Sequence, residues 1–176
     1  VSYIDLNTIH NPATGTVAPA AWGDQIRENE EFLIDPPVVS VFHSVTVNVT
    51  TGTGLTILNA NSENYDNDAM HSTVSNTSRL TVQTAGRYMF GARVNFDVAN
   101  GGGATGMRAV ELLHNSTTRY GLQLVSGASA TLPTQISGVA TIVCAAADFV
   151  EVQVRQDSGS TKGVDLLEFY AVYMTR

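Results

Sequence analysis

From residue 38 onward the chain alternates apolar and polar positions with a period of two. In "VVSVFHSVTVNVT" Val39, Val41, Val45, Val47 and Val49 share one face, with His43 the polar exception. Such alternation marks a strand with one buried and one wet face. A turn at "TTGTG" leads to a second strand begun by Leu55 and Ile57, and "NANSENYDNDAMHSTVSNTS" reads as a polar loop before "RLTV". The strongest strand follows "TAG", where Tyr88, Phe90, Ala92, Val94, Phe96 and Val98 alternate with Arg87, Met89, Gly91, Arg93, Asn95 and Asp97. Beyond the loop "ANGGGATG", further strands are predicted at "MRAVELLH", "RYGLQLV", "QISGVATIV", "FVEVQVRQ" and "LLEFYAVYM". Roughly nine or ten short strands with no interleaved helices predict an all-β sandwich, with a jelly roll the best-sized candidate. The last strand is apolar or aromatic on both faces, Leu166, Tyr170, Val172 and Met174 against Leu167, Phe169 and Tyr173. A strand dressed on both sides is central in its sheet or lies against another subunit.

Ahead of this region the period changes. Residues 1 to 14 read as extended and loop-like, and Pro19 suits the first turn of a helix, where its missing N–H is unpaired anyway. Trp22, Ile26, Asn29 and Leu33 then form the two-per-seven stripe of a coiled-coil seam with one polar position. The same stripe would equally dock the helix on its own domain, and the spacing does not choose. Asp35, Pro36 and Pro37 end the helix, because proline cannot continue the hydrogen-bond ladder. A helix of under two heptads is not stable alone. The expected organisation is therefore an N-terminal arm and helix over residues 1–37, serving attachment or trimerisation, and a sandwich over 38–176.

Composition narrows the function. Of the 176 residues, 43% are hydrophobic and only 14% charged, and the formal net charge is −7. An acidic chain without a clustered basic field is not expected to bind nucleic acid. No apolar run reaches membrane-spanning length, so membrane insertion is not expected. Neither a basic start nor an apolar leader core opens "VSYIDLNTIHNP", so a secretory leader is not expected either. The single cysteine, Cys144, lies in an apolar run and reads as a buried structural thiol.

The candidate chemistry is sparse. His10, His43, His71 and His114 are far apart in sequence, with no short metal-binding spacing, and His43 on a valine face reads as a core or interface histidine. Glu63, Asp66 and Asp68 offer oxygen donors for Ca²⁺ but lack the glycine and terminal glutamate of an EF-hand loop, so they read first as a solvated turn and only weakly as ligands. The glycine-rich pieces do not join a strand to a helix, as phosphate-binding loops do. No catalytic residue and no cofactor is expected.

Three stretches, "RLTVQTAGRYMFGARVNF", "ATIVCAAADFVEVQVRQDSG" and "DLLEFYAVYM", resemble in order and spacing the jelly roll shared by the C1q and tumour-necrosis-factor families. The likeness spans residues 38 to 176. It departs at Ala147, where those domains commonly carry glycine before the aspartate, here Asp148, and no collagen-like stalk precedes it. "GTVAPAAWGDQIRENEEFL" is similar to short N-terminal segments on minor structural proteins of tailed bacteriophages, and "YDNDAMHSTVSNTSRLTV" resembles the loop leading into their jelly rolls. The resemblance implies a non-enzymatic virion protein, made in the bacterial host cytoplasm and displayed as a homotrimer on the exterior of head or tail. Residues 1–37 would hold it to other virion proteins. Contacts between subunits or with the anchor are expected at Trp22, Ile26, Asn29, Leu33, Phe169, Tyr170 and Tyr173. The alternative is a phage-tail module binding a host-surface glycan or protein through its loops. Sugar sites usually stack an exposed aromatic, and only Tyr65 and Tyr120 lie near predicted loops, which favours the architectural reading.

Overall fold

The computed structural model describes residues 20–43, 45–52, 54–98, 106–127 and 131–175. Pro19 and the extended reading of residues 1 to 14 lie outside these. The chain divides into two compact units, residues 1–37 and 38–176.

In the first unit the helix α1 spans Ala20–Ile34. Arg27 lies 3.2 Å from Asp24 and 3.8 Å from Glu31, two exposed pairs worth about 0.2–0.5 kcal/mol each. The Asp35 amide makes a last helical bond to the Glu31 carbonyl at 2.9 Å, and Pro36 and Pro37 have no N–H to extend it. Asn29 and Phe32 are buried and Ile26 half-buried, whereas Trp22 and Leu33 are exposed.

The second unit holds eleven strands among the described residues: β1 (Val38–Phe42), β2 (Val47–Val49), β3 (Thr56–Ile57), β4 (Ser62–Asp66), β5 (Arg79–Thr81), β6 (Gly86–Phe96), β7 (Met107–His114), β8 (Thr118–Ser126), β9 (Thr134–Cys144), β10 (Phe149–Gln156) and β11 (Lys162–Thr175). One sheet runs β4-β1-β11-β6-β9 with β2 also on β11, and the other runs β3-β10-β7-β8 with β5 also on β10. Pairings nest: β1 with β11, β5 with β10, β6 with β9 and β7 with β8, all antiparallel. That nesting is a rolled-up long hairpin, a jelly roll. Alternate residues of both sheets meet between them, with Tyr88, Phe90, Val94, Phe96, Ile136, Leu167 and Phe169 from one and Val110, Leu112, Val150, Val152 and Val154 from the other. The two-faced β11 is central, flanked by β1 and β6.

Several expectations at the front of the sandwich need correction. The valine run is two strands rather than one: Val39, Val41 and Val49 are buried, but Val45 is 65% exposed in the break between β1 and β2. In the next segment the faces are reversed, because Leu58 and Ala60 enter the core while Ile57 is exposed. The supposed polar loop contains β4, an edge strand held on β1 through its backbone, with no apolar face to advertise it. The same stretch buries Met70.

Candidate functional site

The register of the six-stranded sheet lays out its outward face. One row runs Tyr65, Ser40, Tyr170, Gly91 and Val139; the next runs Val38, Val172, Met89 and Thr141; a third runs Phe42, Glu168, Arg93 and Ser137. Most of these side chains are apolar, and Val143 and Met174 extend the same face, 68% and 54% exposed. Tyr65 and Val139 are exposed and Val38, Phe42, Met89, Tyr170 and Val172 half-buried, and a patch of apolar surface of this kind is a candidate interaction site.

Polar links also cross it, among them Asn64 Nδ2 donating to Ser40 Oγ at 3.1 Å. The Arg93 guanidinium donates to Glu168 Oε1 at 2.6 Å, and Asn95 Nδ2 donates to Asp165 Oδ1 at 2.6 Å. A shallow depression of about 400 Å³ opens beside the Arg93–Glu168 pair, lined by Arg93, Ser137, Val139, Glu168 and Tyr170. The Tyr170 ring lies flat over Gly91, where an added Cβ would fall 2.2 Å from the ring carbon Cζ. Glycine in this strand thus admits an aromatic cover that any other residue would push aside.

The outward face of the five-stranded sheet is different. Glu151, only 3% exposed, accepts from Ser78 Oγ at 2.7 Å and Arg79 Nε at 3.1 Å, and Arg79 stacks over the Phe149 ring at 3.9 Å. Gln153 Nε2 donates to Glu111 Oε2 at 3.0 Å, and Arg119 approaches the same carboxylate at 4.0 Å. A smaller depression of about 100 Å³ on this sheet includes Met107, Leu124, Arg155 and Asp157, with no aromatic in its lining.

The expected contact residues separate accordingly. Tyr170 belongs to the outward face of the six-stranded sheet. Phe169 points the other way, 2% exposed and 6.4 Å from the Phe90 ring centre, so it is a core residue and not a surface one. Tyr173 also turns inward, edge-on to Tyr88 at 5.3 Å. The odd and even positions of β11 serve opposite faces, and treating its aromatics together merged the two. Trp22, Ile26, Asn29 and Leu33 all lie on α1.

Glu63, Asp66 and Asp68 do not converge. Asp66 accepts backbone N–H bonds from Asp68 at 3.2 Å, Met70 at 3.1 Å and His71 at 2.8 Å, which makes it the cap of its own turn. Glu63 is spent on His71 Nδ1 at 2.8 Å, and burial raises the Asp68 carboxyl above the ordinary range. His43 is in the core, where burial lowers its pKa. The Asp165 backbone partly offsets this, but neither ring nitrogen reaches hydrogen-bond geometry with a described residue. Cys144 is a buried free thiol, pushed up to about 12 by burial and then by the charge of Asp148.

No protein-family model and no curated protein sequence matches the chain. Solved structures do. The chain is similar to the globular domain of zebrafish complement 1qA protein, with 17% identity and a TM-score of 0.57 over 80% of this chain and 98% of that one. It is also similar to murine APRIL at pH 8.0, with 14% identity and a TM-score of 0.52 over 78% and 98%. The sandwich is therefore a C1q/TNF-like jelly roll, preceded by one helix.

Proposed function

We propose that this protein is a non-enzymatic structural module that works as a homotrimer, displayed on the exterior of a tailed-phage particle and mounted through residues 1–37. The observation that carries the trimer is the apolar outward face of the six-stranded sheet. Tyr170, Val172, Met89 and Val139 lie in adjoining rows there, Val139 more than half exposed and the other three half-buried, and fully burying an exposed apolar side chain contributes about 1.5–3 kcal/mol. C1q- and TNF-like folds commonly associate in threes, and a head-to-tail contact, in which this face meets a different surface of the next chain, closes a ring. Trp22 and Leu33, exposed on a helix too short to stand alone, supply side chains for sister helices or a neighbouring virion protein. Asn29 would set the register at some cost in stability.

The non-catalytic reading is supported by the larger depression itself. Its two charged side chains, Arg93 and Glu168, are closed on one another. The phage setting is supported by the sequence likeness of the front segment and of the stretch leading to β5.

Deleting residues 1–37 tests the mount. We expect a folded β-domain that no longer incorporates into particles. A truncated protein that decorated particles at full occupancy would place the mount in the jelly roll instead.

A further inference from the structure

Three metal-ligating side chains that are scattered in sequence meet at one end of the sandwich. His114 ends β7, Cys144 ends β9, and Asp148 closes the turn before β10. The pairing of His114 with Val150 brings the histidine to the start of β10, and the tight turn from Cys144 to Asp148 brings thiol and carboxylate to the same place. One ligand atom from each of the three lies within 4.8 Å of the other two. Sequence spacing hides this group, since the cysteine and histidine are joined only through the β7–β10 ladder and the turn.

The local hydrogen bonding holds the carboxylate ready. Asp148 Oδ1 accepts from Asn115 Nδ2 at 2.7 Å and Oδ2 accepts from the Ala145 amide at 2.8 Å. Asn115 Oδ1 in turn accepts from the Phe149 amide at 2.9 Å, so the turn and the β7–β8 hairpin are locked together.

The histidine is not satisfied in the same way. Its Nε2 is buried and sits 3.4 Å from Asp148 Oδ2, within ion-pair distance but outside hydrogen-bond geometry. Two ligand atoms at ordinary zinc–nitrogen and zinc–oxygen distances, placed at a tetrahedral angle, are about 3.4 Å apart. The cysteine sulfur, at the outer limit of 4.8 Å, would close by at most about 1.2 Å to reach the corresponding edge.

We propose that His114 Nε2, Cys144 Sγ and an oxygen of Asp148 form a site for a divalent zinc ion, with the fourth position left to water on the half-open side. Imidazole, thiolate and carboxylate together suit a tetrahedral, borderline-soft cation rather than Ca²⁺ or Mg²⁺. The ion takes the place of the thiol proton, which passes to solvent, so binding strengthens as pH rises. It would pin the ends of β7 and β9 and the start of β10, giving the core a metal clasp where the chain has no disulfide.

Cobalt(II) added to the full-length protein tests this, because Cys144 is its single cysteine and any thiolate-to-cobalt charge-transfer band must come from it. We expect that band to saturate at one equivalent per chain, to be displaced by zinc chloride, and to vanish in Cys144→Ala. In His114→Gln the affinity for cobalt should fall at least about tenfold, the lower range for loss of one ligand-shell partner. Zinc chloride should also raise the thermal midpoint of the wild type and not that of Cys144→Ala. Absence of a charge-transfer band in the folded wild type would overturn the assignment, as would equal zinc retention by Cys144→Ala.

Discussion

The two outward faces of the sandwich are finished to different degrees. On the five-stranded sheet, Glu151, Arg79, Ser78, Phe149, Gln153 and Glu111 bond or stack with one another within a single chain, beside the more scattered apolar Ile57, Met107 and Leu124. On the six-stranded sheet, rows of valine, methionine and tyrosine face outward with a few polar links across them. Both faces belong to the same fold and share a core. The contrast therefore reports on partners and not on folding. A face that closes its own hydrogen bonds needs no neighbour, whereas an apolar face stays costly in water until something covers it.

The strongest way to break this comparison is to place a charge on the unfinished face. Val139→Glu or Val172→Glu would leave a carboxylate unpaired in a covered apolar contact, at a cost of about 3–5 kcal/mol. The association constant of the proposed trimer should fall by more than a hundredfold, as sedimentation at micromolar concentration would show. Gln123→Glu on β8 of the other sheet serves as the control and should leave the mass unchanged.

Next in size is an attack on the finished face. Glu151→Ala removes the acceptor of Ser78 and Arg79, and the unpaired groups left behind cost about 2–3 kcal/mol. Urea unfolding should register that loss while light scattering shows an unaltered oligomer. A change in oligomeric mass would mean that the two faces are not separable.

The sequence made much of this legible, and where it failed the reason is physical. From β6 to β11 each strand buries one face or both, except β8, whose Tyr120, Leu122 and Val125 are half-buried, so period-two alternation and the intervening turns placed them within a few residues. Apolar residues on both sides of β11 left two readings, a central strand or one lying against another subunit, and the structure places it centrally. β4 was invisible because "SENYD" is an edge strand held by backbone bonds to β1, and nothing in its side chains alternates. Val45 misled because a break between β1 and β2 is written in backbone geometry and not in residue type. The site was legible only in part. Of the three β11 aromatics expected at a contact, Tyr170 lies on the outward face, while Phe169 and Tyr173 point to the other side of the same strand. Val139, Met89 and Val172 join Tyr170 only once the register of β6, β9 and β11 is known.

A smaller effect concerns the core beneath the apolar face. Burial lowers the His43 pKa, so the unfolded chain takes up a proton more readily than the folded one. The stability owed to neutral His43 is complete above the unfolded value of about 6.5 and is lost as pH falls from there toward the folded value. Unfolding free energy should decline by at most about 1.4 kcal/mol per pH unit in that window. His43→Leu should remove this part of the slope, as denaturant titrations at a series of pH values would show.

Smallest is the turn before β10. Ala147 adopts φ of 72°, a left-handed conformation that glycine enters without strain. Ala147→Gly should stabilise the fold by up to about 1 kcal/mol, net of the added freedom of the unfolded chain, and should leave association untouched. Thermal unfolding would detect it as a rise of a few degrees, and a fall would show that the turn is held for another reason.

The central claim is that the apolar outward face of the six-stranded sheet is covered by copies of the same chain. Sedimentation equilibrium of the full-length protein at micromolar concentration tests it most directly. Three chains of 18.7 kDa should sediment together at about 56 kDa. A stable monomer of 18.7 kDa, with the face exposed to water, would contradict the account.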